Sequence, residues 1–198
     1  MPAETPKNKK VLRYAKGTKD LYLYQKADTL YQLTYYFCER FLPAYGDRTV
    51  DQMVQAARSG KQNIVEGIED GKTSAEMELK LLNVARASLQ ELREDFADYL
   101  NTRHLTLWTP DHPRYAPMLD FCRNNNCFDA YAPHLPKLSA EELCNMALSL
   151  CHFTDKMLNS YLQRLEKEFI EKGGIKERMH AARTGYRQAQ DQELLRLR

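Results

Sequence analysis

The sequence predicts an all-α fold: an antiparallel up-and-down four-helix bundle with a long helix 3–helix 4 connection and a basic C-terminal extension. Three observations predict it. Apolar residues recur at helical spacing through four long stretches. Within residues 52–67, Met53, Ala56, Ala57, Gly60, Ile64 and Gly67 share one face, and most of them are small. In the next stretch Leu82, Leu89 and Phe96 repeat every seven residues, as do Ala85, Leu92 and Tyr99, which makes a seam for a partner helix.

Residues 1–17 hold Pro2, Pro6, Gly17 and a lysine cluster and read as a flexible basic arm. The first helix is expected over residues 18–42, with Leu23, Leu30 and Phe37 in one row and Ala27, Thr34 and Phe41 in a second. Tyr22, Tyr24, Tyr31, Tyr35 and Tyr36 add an aromatic stripe, with Tyr14 just before it. Such a stripe is read as core or subunit interface rather than as a platform for stacking bases. Pro43 and Gly46 end this helix. Thr49 with Gln52 reads as a capping box that starts the second, and residues 67–71 close it. Thr73 with Glu76 starts the third, which is expected to reach residue 100 or 101.

Gly60 in a helix interior costs about 1 kcal/mol relative to Ala, so a close helix contact is expected there. Asn63 and Glu66 flank that small-residue face, and Arg86 and Ser88 flank the seam opposite. These four are expected to form a structural polar cluster between the second and third helices, with Glu66 and Arg86 as an ion pair, because buried charges are found paired.

Residues 104–137 interrupt the regularity and hold Pro110, Pro113, Pro117, Pro133 and Pro136, five of the eight prolines. A short helix over residues 115–123 is expected inside them, with Trp108 anchoring the excursion to the bundle. Ser139 with Glu142 opens the fourth helix. Leu143, Met146, Leu150, Phe153, Met157 and Tyr161 face the core, and Leu158, Leu162, Leu165 and Phe169 form a rotated second stripe. Gly173 and Gly174 then break the pattern. Residues 172–198 read as a basic suffix, helical or disordered, which alone would be marginal as a helix in water.

At 198 residues and 23.1 kDa, with 43% hydrophobic and 28% charged residues, one ordinary globular domain over residues 18–171 is the natural reading. No apolar run approaches a membrane-spanning length, and the N-terminus lacks the apolar core of a secretory signal. The net charge of +2 is uneven: +5 falls on residues 1–19 and +4 on residues 172–198, leaving −7 for the body. The five cysteines are odd in number and fit no zinc spacing, so free thiols in a reducing cytoplasm are expected, with no metal and no cofactor. The polar cluster holds no nucleophile with an adjacent base, and Cys151 and His152, neighbours on a helix, point different ways. A di-iron bundle takes Glu-x-x-His from two helices, and this chain does not carry the motif on two helices. A bundle enzyme or metal carrier is therefore the remote alternative.

The run Gln52, Ser59, Asn63-Ile64-Val65-Glu66-Gly67, followed by Ala85-Arg86-Ala87-Ser88-Leu89-Gln90-Glu91-Leu92, resembles the four-helix-bundle family of 23S rRNA intervening-sequence proteins. Leu23-Tyr24-Gln25-Lys26-Ala27 is similar to the start of that family's first helix. The likeness spans residues 20–165, with Gln55 where the family often has Arg and Gly60 where it has Ile. The tail after Gly173 resembles a suffix on some bacterial members. The resemblance implies a ring-forming homo-oligomer, often a pentamer. A similar bundle serves as the accessory protein of diversity-generating retroelements, where it binds nucleic acid and a reverse transcriptase.

The functional expectation is a non-enzymatic cytoplasmic protein that self-associates and presents a surface to a macromolecule, nucleic acid being the candidate. The expected contacts are Lys7, Lys9, Lys10, Arg13, Lys16 and Lys19 on one arm and Lys176, Arg178, Arg183, Arg187, Arg196 and Arg198 on the other. The alternative is a structural subunit whose arms meet only protein.

Overall fold

Six α-helices and three short 3-10 turns carry the chain in a computed structural model that describes residues 17–43 and 48–196. The helices are α1 (Tyr22–Phe41), α2 (Arg48–Asp70), α3 (Ala75–Thr102), α4 (Tyr115–Asn124), α5 (Ala140–Lys172) and α6 (Ile175–Arg196), and no strand occurs among the described residues. Four of the five long helices close a cycle of packing: α1 on α2, α2 on α3, α3 on α5, and α5 back on α1. Residues 1–16, 44–47 and 197–198, which include the expected basic arm up to Lys16, Gly46 and Arg198, lie outside the described residues. No helix among the described residues is long and apolar enough to cross a membrane.

Two helix starts differ from expectation. The first turn of α2 already includes Arg48 and Thr49, so Thr49 is not its cap. In α3 the cap is Ser74, one residue beyond the expected Thr73; its hydroxyl accepts the Met77 N–H at 3.2 Å. A Ser at the N-cap satisfies a donor that the helix itself cannot. At α5 the full reciprocal box forms: Ser139 accepts from Glu142 N–H, and the Glu142 carboxylate accepts from Ser139 N–H.

The expected small-residue face is the one buried. Met53, Ala56, Ala57, Gly60, Ile64 and Gly67 all point inward, against Leu82, Ala85, Leu89 and Leu92. Phe37 lies under the C-terminal end of both rows of the seam, with its ring 5.2 Å from Phe96 and 4.8 Å from Tyr99, edge to face. The two stripes of α5 are packed on this core as far as Leu165; Phe169 and Ile170 beyond it are exposed. The tyrosine stripe of α1 is split, with Tyr22 and Tyr35 exposed and Tyr24, Tyr31 and Tyr36 half-buried.

Two clasps hold the excursion between α3 and α5. The first is Asn145 on α5. Its side-chain oxygen accepts the Trp108 N–H at 2.7 Å, while its amide donates to the Thr106 and Glu141 carbonyls, each at 2.9 Å. Glu141 completes the clasp by accepting from the Thr106 N–H and the Trp108 indole, and those bonds hold its carboxyl below the usual range. Asn145→Ala orphans buried groups that cost about 1–3 kcal/mol. The expected loss is about 2 kcal/mol with a red-shifted emission from Trp108, the single tryptophan. Unchanged emission and an unchanged denaturation midpoint would show that the clasp contributes nothing.

The second clasp is Lys26 on α1, a lysine with no exposed surface. Its ammonium donates to the carbonyls of Cys122, of Asn125 at 2.6 Å and, more weakly, of Arg123 at 3.5 Å. These are the open carbonyls at the end of α4, where the helix dipole leaves negative charge. Thr29 adds a bond to the Asn126 carbonyl at 2.8 Å, and Tyr131 donates to Asn125 at 2.8 Å. Burial pulls the Lys26 pKa below the ordinary lysine value, while the Cys122 and Cys127 thiols act the other way. The clasp fixes where α4 ends and therefore where the Arg123 side chain leaves the backbone.

Candidate nucleic-acid interface

Arg123 points into a cleft of about 480 Å³ where α1, α4 and α5 meet. Lys156, Ser160 and Arg164 recur four residues apart on α5 and line one wall. Tyr22 and Leu23 from α1 and Phe153, Met157 and Tyr161 from α5 supply the apolar surface. The cleft therefore joins three cations to exposed and half-exposed rings. Tyr22 is 65% exposed. The Tyr161 ring is fixed, because its hydroxyl donates to the buried Glu78 carboxylate at 2.7 Å, and the Arg164 guanidinium lies 4.9 Å over it. Arg123 sits 5.8 Å from the Phe153 ring centre and pairs at the rim with Asp120 at 2.8 Å. No carboxylate lines the cleft among the described residues.

Chemically, such a lining can take phosphate groups and flat rings. A guanidinium or ammonium neutralises a phosphate wherever the sequence runs, and an aromatic face accepts any base. Sequence reasoning missed the cleft because its residues come from three helices far apart in the chain. The Lys156–Ser160–Arg164 spacing was the one legible signal, since it places both cations on one face of α5.

The residues expected to bind nucleic acid fall elsewhere. Lys7, Lys9, Lys10, Arg13, Lys16 and Arg198 lie outside the described residues. Lys19 is exposed beside the first turn of α1. On α6, Lys176, Arg183, Arg187 and Arg196 are exposed and Arg178 is half-buried.

The expected polar cluster forms only in part. Ser59 and Ser88 share a hydrogen bond at 2.9 Å, and the Asn63 amide donates to the Ser59 hydroxyl at 3.2 Å and the Ser59 carbonyl at 2.9 Å. The Glu66–Arg86 pair does not form. Glu66 is exposed, and Arg86 donates instead to Asn159 on α5 at 3.1 Å. Arg86 lies on the side of α3 that meets α5 rather than α2, so a single helix face could not serve both pairings.

Other reactive groups are dispersed. Cys38, Cys122, Cys144 and Cys151 are buried, and Cys127 is exposed. The one Glu-x-x-His spacing, Glu177 to His180, lies on α6 with both side chains exposed. Among the described residues no three His, Cys, Asp or Glu side chains stand close enough to hold a metal ion. Comparison with family profiles, with curated proteins and with solved structures gives no match to this chain.

Proposed function

We propose that this protein is a non-enzymatic, self-associating antiparallel four-helix bundle, acting in the cytoplasm, that holds single-stranded nucleic acid by its phosphates and stacks bases without reading sequence. The observation that carries this reading is the cleft, in which Arg123, Lys156 and Arg164 surround the rings of Tyr22 and Tyr161. The cyclic packing of four long helices supports the bundle. The resemblance of residues 52–92 to the 23S rRNA intervening-sequence family supports the same arrangement. The lysines of the N-terminal arm would add phosphate contacts to those of the cleft.

Three phosphate contacts on a single strand give a log–log salt slope of about −2, so affinity falls roughly twentyfold over a fourfold rise in salt. The test is fluorescence anisotropy of labelled mixed-sequence single-stranded RNA and DNA at two salt concentrations. Arg123→Glu with Lys156→Glu is expected to weaken binding by about tenfold or more and to flatten that slope. Tyr22→Ala should weaken binding with the slope unchanged, because stacking releases no counterion. Equal binding by wild type and the double variant would remove the cleft from the interface. No binding by wild type at low salt would remove nucleic acid from the function and leave the protein-only subunit.

A further inference from the structure

α6 presents an apolar row that the described residues leave unburied. Ile175, Met179, Ala182, Tyr186 and Ala189 follow the four-three spacing of a coiled-coil seam. No residue of α6 is buried, and Met179 and Tyr186 are 56% and 65% exposed. Cations flank the row, Lys176 and Arg183 on one side and Arg178 on the other; Glu177 and Asp191 stand on the back, and by the same spacing the row ends on Glu193 and Arg196. A solitary helix of this length is marginal in water, and Gly185 within it costs about a further 1 kcal/mol. A second α6 is a poor cover, because it would set basic flank against basic flank.

The complementary surface lies on the body. An open groove of about 870 Å³ runs between α2 and α3, with Asp51, Glu91 and Asp95 along it, Val54 and Ala56 as apolar surface, and Arg48 as its one lining cation. Glu94 and Asp98 thicken the acidic field, and among the described residues none of these α3 carboxylates is ion-paired. Desolvation, and after it Asp98, Glu91 and Glu94, push the Asp95 carboxyl above its usual range.

The groove cannot be filled by the same chain's α6. Glu78 near the start of α3 meets Tyr161, so residue 173 lies about 18 Å past that contact. Glu91 and Asp95 lie about 20–25 Å along α3 from Glu78, and Arg86 meeting Asn159 shows that they lie the other way. The span of about 40 Å exceeds the roughly 33 Å length of α6.

We infer that the apolar row of α6 docks in the acidic α2–α3 groove of a second copy of this chain, its lysine and arginine flanks against Asp51, Glu91 and Asp95. This rests on the self-association proposed above and names its surfaces. The two surfaces are different, so the contact is heterologous and propagates from copy to copy until a ring closes or a filament grows.

The test is sedimentation velocity on nuclease-treated full-length protein and two charge-reversed variants. One variant reverses the groove (Glu91→Lys with Asp95→Lys), the other the helix (Lys176→Glu with Arg183→Glu). Wild type is expected to sediment as an assembly and each variant alone to shift towards monomer. An equimolar mixture of the two should recover assembly, with the variants in strict alternation (an even-membered ring or a filament), because the reversed helix fits the reversed groove and the two native surfaces fit each other. That recovery also shows that both variants are folded. Wild-type protein that is monomeric overturns the self-association and this inference together. Wild-type assembly with both variants assembling equally, or with no recovery on mixing, overturns this inference alone. Assembly that vanishes on nuclease treatment places α6 on nucleic acid and overturns it as well.

Discussion

Lys26→Met is expected to lower stability by about 3–4 kcal/mol and to loosen residues 104–137 before the rest of the chain. Methionine fills the same volume but donates nothing, so the Cys122 and Asn125 carbonyls lose the buried ammonium. An orphaned buried acceptor costs about 1–3 kcal/mol, which applies chiefly to Cys122, left with only a long bond from the Tyr131 hydroxyl at 3.4 Å, since Asn125 keeps that hydroxyl at 2.8 Å; losing a cation at a helix C-terminus costs up to about 2 kcal/mol more. Relief from desolvating the ammonium offsets part of that sum. Chemical denaturation gives the magnitude, and hydrogen exchange across α4 gives the order of opening. The variant should also bind single strands more weakly, although Lys26 touches none, because Arg123 loses its fixed origin. A denaturation midpoint equal to wild type would mean that the ammonium is dispensable and that α4 is held by Thr29, Tyr131 and apolar contact alone.

Gly60→Leu is expected to cost about 3 kcal/mol or more. A Cβ at Gly60 would stand 2.8 Å from Leu89 Cδ2 and 3.0 Å from Leu89 Cγ, so even one carbon requires Leu89 to shift. Three further carbons must separate α2 from α3, and overpacking of that kind costs about 1–3 kcal/mol and occasionally more. Gly60→Ala separates the two effects. Its helix propensity improves by about 1 kcal/mol, and its contact is with the mobile end of one side chain, so the net change should be close to zero. Urea denaturation of both variants checks this. A Leu variant as stable as wild type would mean that the two helices part there at little cost.

The helices and their inward faces were legible because periodicity is a local property. Met53 to Gly67 and the Leu82 and Ala85 rows could be assigned from spacing alone, and the close approach at Gly60 followed from its cost. Caps were legible where the reciprocal pair exists, as at Ser139, and slipped by a residue where neighbours compete, as at Thr73 and Ser74. The end of α3 gave no glycine to mark it. There His104 takes the left-handed conformation (φ 54°), and the Leu105 N–H returns to the Leu100 carbonyl at 2.9 Å.

Pairing across helices was not legible. Glu66 and Arg86 have opposite charges at plausible positions, yet Arg86 points at α5, because rotation about the α3 axis is set by the whole core. Nothing in the local sequence distinguishes Lys26 from a surface lysine of an amphipathic helix. Its acceptors arise only when α4, about 100 residues later, ends against it. The cleft has the same origin: Tyr22, Arg123 and Lys156 are brought together by that clasp.

The distribution of thiols has a practical meaning. Cys127 alone is exposed, whereas burial lifts the Cys122 and Cys151 thiols to about 12 and Cys144 higher still. Alkylating reagents attack the thiolate. At neutral pH such a reagent therefore meets one residue on the native protein and five on the opened chain. Cys122 belongs to the carbonyl that Lys26 holds, and Cys151 lies in the middle of α5. The order in which the two acquire mass during a timed alkylation separates release of α4 from collapse of the core, and so gives the molecule a clock of its own opening without any introduced label.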